Sequence, residues 1–566
     1  MSCTGIQAFL DMLAEFGVQY IFGNPGSTEL PLNDAMVTDR RLQYILGLQE
    51  VPVMAMADGY SMASRSLGVV NLHISCGLGN AMGMLYNAFR EGTPLLVTAG
   101  QQDRRLQFEE PILGGDMVSV ARPWTKWAVE VSRVEDLPAA LRRAVQTALT
   151  PPTGPVFLSM PVDVQMEWSE SLDTSPIHLP DPAIRPSHES LVEAVELLRQ
   201  AKNPGILAGS RVSERQAMDV LVRVAEQLGA PVMTESGTTH GRLAFPSDHP
   251  LNGHGLPLWS PEVRDRLSEF DVLLVTGMDL FRQYIYHEPS RAIPEHVRLI
   301  HLDEDPWQIG KNYPVAVGLW GHTRAGLEGI ADLLDSQMTP GEVTQAQQRA
   351  EEYGQQHAAK RETLRETIRS QADHRPMTPL TLMDAVARAV PENIAVVEEA
   401  VTTTNTTLER LGKLTDQSSY FGHRGWALGW GLGCAIGAQL AWPERPVLGL
   451  LGEGAAMYGF QGLWSAAHHK IPVRFVICNN AQYQILKVCS NVLDLPEAAE
   501  GNFEGMDLRQ PEIDFVALAQ SLGVSAHRAS EPDEVTDWIK NSFQADGPML
   551  LDVPIARDSP SRLNYG

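Results

Sequence analysis

Cysteine is scarce in this chain, and basic residues are outnumbered. Five cysteines (Cys3, Cys76, Cys434, Cys478 and Cys489) are spread over 566 residues with no CxxC pair. That excludes a disulfide framework and a cysteine-rich zinc module, and it fits a reducing compartment. No stretch reaches about 18 apolar residues without a polar interruption, so no membrane-spanning helix is expected. The opening MSCTGIQAFLDML has no basic segment followed by an apolar one, so no secretory leader is expected and a cytoplasmic location is. Lysine and arginine total 44 against 69 aspartates and glutamates, a net charge of −25. Such a surface repels nucleic-acid phosphates and anionic membranes, and neither is expected as a partner. An anionic cofactor would have to be held by a local device: a metal ion, backbone N–H groups or a helix N-terminus.

Hydrophobic residues make up 43% and charged residues 20%, the balance of a folded globular protein. At roughly 100–200 residues per domain, the length suggests about three domains. The N-terminal part, 1–180, alternates helix and strand. Ile6, Phe9, Leu10, Leu13 and Phe16 share a helical face behind a Thr4/Gln7 capping box. Strands are expected at 18–22, 44–48, 69–74, 95–98 and 156–159. A Pro-rich passage, 173–188, reads as a linker. A central α/β unit, 189–340, has strands expected at 205–208, 272–276 and 297–302. The latter two end at polar or glycine residues, where a doubly wound sheet offers a crevice. The polar stretch 341–376 reads as a surface helix plus linker. A third α/β unit, 377–566, has strands expected at 394–397, 447–451, 473–478 and 549–553. The fold class is therefore α/β, with three open parallel-sheet domains.

Two local patterns carry chemistry. In PVLGLLGEG, an apolar strand runs into Gly452-Glu453-Gly454, and a second strand ends at Asn479-Asn480-Ala481-Gln482-Tyr483. Neighbouring strand ends would bring carboxylate, amide and carbonyl oxygens together, a donor set for a hard cation such as Mg²⁺ or Ca²⁺. A helix cap with ordinary Asn turns gives the same local pattern. Glu50 ends the run YILGLQE and is followed by Val51-Pro52 and an Ala- and Met-rich segment. A carboxylate at the edge of apolar surroundings is partly desolvated, which favours its protonated form and suits it to share a proton with a ring nitrogen. A plain helix-capping Glu is the alternative.

The same residues lie in longer runs: GNPGSTELP at Gly23–Pro31, LQE at Leu48–Glu50, MADGY at Met56–Tyr60, NLHISCGLGNAMG at Asn71–Gly83 and PLLVTAGQQ at Pro94–Gln102. GPVFLSMPVD follows at Gly154–Asp163, LGWGLGCAIGAQLAWPERPVLGLLGEG at Leu428–Gly454, and IPVRFVICNNAQY at Ile471–Tyr483. Through these the chain resembles the thiamine-diphosphate-dependent 2-oxo acid decarboxylases of the benzoylformate type. The likeness is close in both flanking domains and mainly one of plan in the middle. It implies a pyrimidine-binding, a central and a diphosphate-binding domain. It also implies a cofactor lodged between the first domain of one subunit and the third of another, hence a homo-oligomer, usually a dimer of dimers. Under the resemblance, Glu50 contacts the aminopyrimidine and Leu428 braces the bent cofactor. Gly452, Glu453, Gly454, Ala455, Asn480 and Tyr483 fall on the diphosphate side, and Glu453, Asn480 and Gln482 on the metal. The family has Asp in a GDG turn where this chain has Glu453, and a Thr where it has Gln482.

On the substrate side, the resemblance makes Ser27 the carboxylate-holding residue, although alone it reads as a turn former. His73 ends an apolar strand and matches the first catalytic histidine; its unperturbed pKa suits proton exchange. Tyr284 stands where the second catalytic histidine is expected, with His287 three residues on. The pocket wall is expected to draw on Leu428, Trp430, Leu432, Met457, Tyr458, Ile485 and Leu486. The leading reading is non-oxidative decarboxylation of an aryl or alkyl 2-oxo acid to an aldehyde and CO₂. The runner-up is a carboligase or lyase like acetolactate synthase or benzaldehyde lyase, favoured by the missing second histidine. No flavin signature supports an oxidase.

Overall fold

A computed structural model describes residues 2–235, 241–282 and 284–557. Near the N-terminus, α1 (Gly5–Glu15) starts at a Thr4/Gln7 capping box and buries Ile6, Phe9, Leu10 and Leu13. The first sheet holds β1 (Tyr20–Gly23), β2 (Gln43–Leu46), β3 (Gly68–Leu72), β4 (Leu95–Gln101), β5 (Trp127–Glu130) and β6 (Val156–Pro161), in the order β2-β1-β3-β4-β6-β5. The central sheet holds β7 (Pro204–Ala208), β8 (Val232–Thr234), β9 (Asn252–Gly255), β10 (Val272–Thr276), β11 (Arg298–Asp303) and β12 (Val317–Trp320), in the order β9-β8-β7-β10-β11-β12. The last sheet holds β13 (Ala395–Glu399), β14 (Tyr420–Phe421), β15 (Val447–Gly452), β16 (Arg474–Asn479), β17 (Ser525–Arg528) and β18 (Met549–Pro554), in the order β14-β13-β15-β16-β18-β17. Every pairing within these sheets is parallel. Their strands are buried on both faces, so they read as continuous apolar runs rather than alternations.

The first and last sheets share one topology, while the central sheet has the other doubly wound order. Between the second and third strands of the first sheet runs α2 (Glu50–Ser64), and α3 (Ile74–Glu91) follows β3. The polar stretch after the central sheet is α4 (Pro340–Ser370), begun by a Thr339/Glu342 capping box. In the last domain, α5 (Trp430–Ala441) occupies the position that α2 holds in the first. The two equivalent helices cross each other at close range. A Cβ on Gly437 would lie 1.9 Å from Met56 O and 2.6 Å from Tyr60 N, and one on Gly433 2.5 Å from Ala55 Cβ. At the same crossing, Trp430 Nε1–H of α5 donates to Asp58 Oδ2 of α2 at 2.6 Å, both fully buried. Burial raises the Asp58 carboxyl to about 7.

At the ends of the central strands a Cβ on Gly209 would meet Met278 Cβ at 2.3 Å, so the loops after β7 and β10 touch. Arg211 lies beside them, paired with Asp303 at 2.8 Å and Asp279 at 2.9 Å.

The glycine crossing generates a stability prediction. Gly437→Ala is expected to cost about 2–3 kcal/mol through overpacking against the α2 backbone, read as a lowered thermal midpoint. Gly79→Ala, on α3 with nothing within 4 Å of its Cβ position, is the control and is expected to leave the midpoint unchanged or slightly raised.

Candidate active site

Glu50 is the first residue of α2, where the unpaired N–H groups of the helix start favour a negative charge. Its side chain is 3% exposed, and each oxygen takes one side-chain amide: Asn24 Nδ2–H donates to Oε1 at 3.1 Å, and Asn80 Nδ2–H to Oε2 at 2.9 Å. The carboxylate is thus oriented by neutral donors from the Gly23–Pro31 turn and from α3. His73 caps α3 one turn away. Its Nδ1 lies 2.9 Å from Glu29 Oε2. Glu29 is buried, and its other oxygen accepts the N–H of Gly100 at 2.8 Å, the N–H of Ile74 at 3.1 Å and the Thr28 hydroxyl at 2.9 Å. With Nδ1 turned to a carboxylate, Nε2 is the nitrogen left for other chemistry. The Ser27 turn presses on the same ring: a Cβ on Gly26 would sit 1.7 Å from His73 Nδ1. Ser27 itself is exposed. Ile74 carries φ +37°, rare for a β-branched residue, and its N–H is held in place by Glu29. Sequence reasoning quoted Glu29, Asn24 and Asn80 inside motifs without giving them a task. A carboxylate two residues after Ser27 in a buried turn was the available signal.

The second group gathers at the ends of β15 and β16. Gly452 ends β15, and Glu453 begins α6 (Glu453–Gly459) with 3% exposure. Glu453 Oε1 accepts the Gln482 N–H at 2.9 Å, and Asn480 Oδ1 accepts the same N–H at 3.1 Å. Two oxygen acceptors converging on one donor suit a hard cation. Burial meanwhile raises the Glu453 carboxyl to about 7, a cost that a cation would reverse. Among the described residues no cluster of three or more His, Cys, Asp or Glu side chains could hold a metal, so any site here draws on amide and carbonyl oxygens too. The Gln482 side chain points elsewhere: its Nε2–H donates to Arg557 O at 2.9 Å, and its Oε1 accepts Lys487 Nζ–H at 2.9 Å. Gly454 and Tyr483 pack together, since a Cβ on Gly454 would meet Tyr483 Cε1 at 2.5 Å. Ala455 is buried in the same turn.

Leu428 stands 37% exposed just before Gly429, which has φ +99°. Its position is set by Glu399 at the end of β13. The Glu399 carboxylate accepts the N–H groups of Gly429 at 3.0 Å, Trp430 at 3.1 Å and Gly431 at 2.9 Å, so one side chain caps the whole first turn of α5. Burial raises Glu399 to about 7, against the pull of those three donors. Val51, next to Glu50, lies 3.1 Å from the Cβ position of Gly429, which joins the Glu50 and Leu428 groups at the helix crossing. Trp430 and Leu432, expected in the pocket wall, are fully buried instead. Trp430 faces the crossing at Asp58, while Leu432, about 200° further round α5, packs beside Gly462. Leu428, Met457, Tyr458 and Leu486 remain exposed on the open side.

Tyr284 and His287 sit in an aromatic box. Tyr284 stacks on Trp259 with centroids 6.2 Å apart and meets the edge of Trp426 at 4.8 Å. His287 packs edge-on against Trp259 at 5.6 Å, and its Nε2 is buried without a hydrogen-bond partner among the described residues. The Tyr284 hydroxyl is 3.9 Å from Cys489 Sγ on α7 (Gln484–Val492). No contact joins Tyr284 or His287 to His73 or Glu50 among the described residues.

Comparison with known proteins identifies the family. Residues 3–115 match the thiamine pyrophosphate enzyme N-terminal TPP binding domain, 191–330 the central domain, and 400–553 the C-terminal TPP binding domain. A benzoylformate decarboxylase of Pseudomonas aeruginosa is 33% identical over 98% of this chain and 99% of its own. A probable acetolactate synthase large subunit of Methanocaldococcus jannaschii is 26% identical over 97% of this chain and 92% of its own. The solved 4-hydroxybenzoylformate decarboxylase of Rhodococcus jostii superposes with a TM-score of 0.86 at 31% identity, covering 99% of this chain and 100% of the other. With three domain models matched in order and a relative one-third identical along its whole length, the chain belongs to the thiamine pyrophosphate enzymes, a family of carboxy-lyases and C–C lyases or ligases.

Proposed function

We propose that the protein decarboxylates an aryl-substituted 2-oxo acid of the benzoylformate type to an aldehyde, without oxidation. The observation that carries this reading is the Glu29–His73 pair set beside Glu50 at the start of two neighbouring helices. Thiamine diphosphate, when bound, supplies a nucleophilic carbon and an electron sink for the departing CO₂.

The chain's own residues do the rest. Glu50, fixed by Asn24 and Asn80, holds a proton at the aminopyrimidine nitrogen. Leu428, fixed through the Glu399 cap, would brace the cofactor. Glu453, Asn480 and the Gln482 carbonyl would hold Mg²⁺ or Ca²⁺, which would supply the charge that offsets the diphosphate, with Gly452, Gly454, Ala455 and Tyr483 shaping the cradle. Ser27 receives the substrate carboxylate without a salt bridge, so no fixed cation holds it back from leaving as neutral CO₂, the electron pair of the broken bond staying behind for the sink that thiamine diphosphate would supply. His73 Nε2 moves a proton at the substrate oxygen, with Glu29 fixing the tautomer. Trp259, Tyr284 and Trp426 supply flat apolar surface for an aryl group.

A second reading, carboligation, draws support from Tyr284. Its hydroxyl faces Cys489, and burial raises its pKa, so it is a poor proton donor to a nascent product. Retained product carbon would then be free to attack a second carbonyl. A homo-oligomer with shared sites is supported by the apolar side chains on the segment after β4: Phe108 is 99% and Ile112 83% exposed.

Three outcomes test these readings. Glu50→Gln is expected to lower turnover by about 10²–10⁴-fold with an unchanged thermal midpoint; normal turnover would overturn the mechanism. An equal mixture of refolded Glu50→Gln and Glu453→Gln chains is expected to regain about a quarter of wild-type activity, because half the dimers carry one intact composite site. No recovery would place each complete site within one chain. Tyr284→His is expected to raise the aldehyde share of product from benzoylformate in the presence of added benzaldehyde. An unchanged product ratio would remove Tyr284 from control of the outcome.

A further inference from the structure

The turn that follows β16 is strained, and residues far along the chain hold it. Ala481 has φ +49°, a conformation rare for a residue with a Cβ. Such a backbone persists only where its surroundings fix it. On one side the turn pairs with 506–508: Tyr483 N–H donates to Met506 O at 2.8 Å, and Leu508 N–H to Ala481 O at 2.9 Å. On the other side lies Arg557. β18 runs parallel to β16 with Pro554 opposite Asn479, so the residues that follow β18 come to the turn that follows β16.

The Arg557 guanidinium grips that turn as a fork. Its Nη1 group donates to Asn480 O at 3.0 Å and to Ala481 O at 2.8 Å, and its Nη2 group donates to Asp507. The Arg557 carbonyl accepts Gln482 Nε2–H at 2.9 Å. Lys487 on α7 completes the ring, its Nζ donating to Gln482 Oε1 at 2.9 Å and to Asp507 Oδ1 at 2.7 Å. Gln482 is thus held at both ends of its side-chain amide. A Thr side chain is too short to span both partners, so the ring accounts for Gln at this position. The Gln482 carbonyl accepts Gln484 N–H at 3.0 Å with one lone pair and keeps the other for a cation.

We propose that Arg557 is a positioning residue for the cation: together with Gln482 and Lys487 it latches the 480–482 turn, so that Asn480 Oδ1 and the Gln482 carbonyl stand ready beside Glu453. The latch rests on the cation site proposed above and acts through the turn's carbonyls, not on substrate. The sign of its effect separates it from plain electrostatics. Arg557 and Lys487 are positive groups near a cation site, with Asp507 between them. Removing either charge lowers repulsion and, by Coulomb's law alone, tightens Mg²⁺ binding. Releasing a latched turn weakens it.

Isothermal titration of Mg²⁺ into the full-length protein, with thiamine diphosphate present at saturation, reads that sign. Arg557→Ala is expected to raise the Kd for Mg²⁺ about tenfold, the scale of one lost charge-assisted hydrogen bond. The thermal midpoint measured without Mg²⁺ and thiamine diphosphate is expected to stay that of the wild type. Lys487→Met is expected to weaken Mg²⁺ by a smaller factor, and it decides the matter should Arg557→Ala fail to fold. Mg²⁺ bound as tightly as by the wild type, or more tightly, would overturn the latch, as would an affinity loss matched by a lowered midpoint. Glu453→Gln tells the two readings apart. Weakened Mg²⁺ in that variant leaves the cation site standing whatever Arg557→Ala does, while wild-type affinity there would overturn the cation site and the latch with it.

Discussion

Two helices from opposite ends of the chain touch backbone to backbone, and the catalytic geometry hangs on that contact. Gly433 and Gly437 remove the side chains that would keep α5 away from α2, and Trp430 Nε1–H reaches across to the buried Asp58. Because the first and last sheets share one strand order, these helices are equivalents, and the crossing sets two like domains start to start. Glu50 begins one helix and Leu428-Gly429 precedes the other, so the crossing fixes where each of these residues stands. The next equivalent pair works the same way: His73 caps the helix after β3, and Gly452 caps the helix after β15. Each domain thus offers helix N-termini from the same edge of its sheet, where negative groups are stabilised.

Around that edge the protein relies on buried carboxylates held by neutral donors rather than by cations. Glu50 takes two side-chain amides, Glu29 two backbone N–H groups and a hydroxyl, and Glu399 three backbone N–H groups. Donors of this kind fix direction as well as charge, which is what proton transfer at a defined atom needs. The central domain does the opposite, pairing its buried carboxylates Asp279 and Asp303 with the guanidinium of Arg211.

The substitution at Tyr284 follows from its surroundings. Trp259 and Trp426 form a box that receives a flat ring on two sides, and the phenol completes it with its hydroxyl directed to Cys489.

Much of this was legible in the residues taken one stretch at a time. Apolar runs ending in Gly, Asn or Glu marked the strands and their turns, and the Thr4/Gln7 box marked the start of α1, because these depend on local spacing alone. The long motifs around Glu50, His73 and Glu453 pointed to the cofactor chemistry for the same reason. Other features needed the folded chain. Glu29 became the partner of His73, and Glu399 the cap of Leu428, only when residues far apart in sequence were buried together. Trp430 and Leu432 are both covered because α5 is packed on every face, and a helix hydrophobic on every side carries no periodicity that marks an open side. The sequence by itself determined the elements and the family. The tertiary structure decided which carboxylate orients which group, since burial and long-range hydrogen bonds are properties of the packed chain and not of its order.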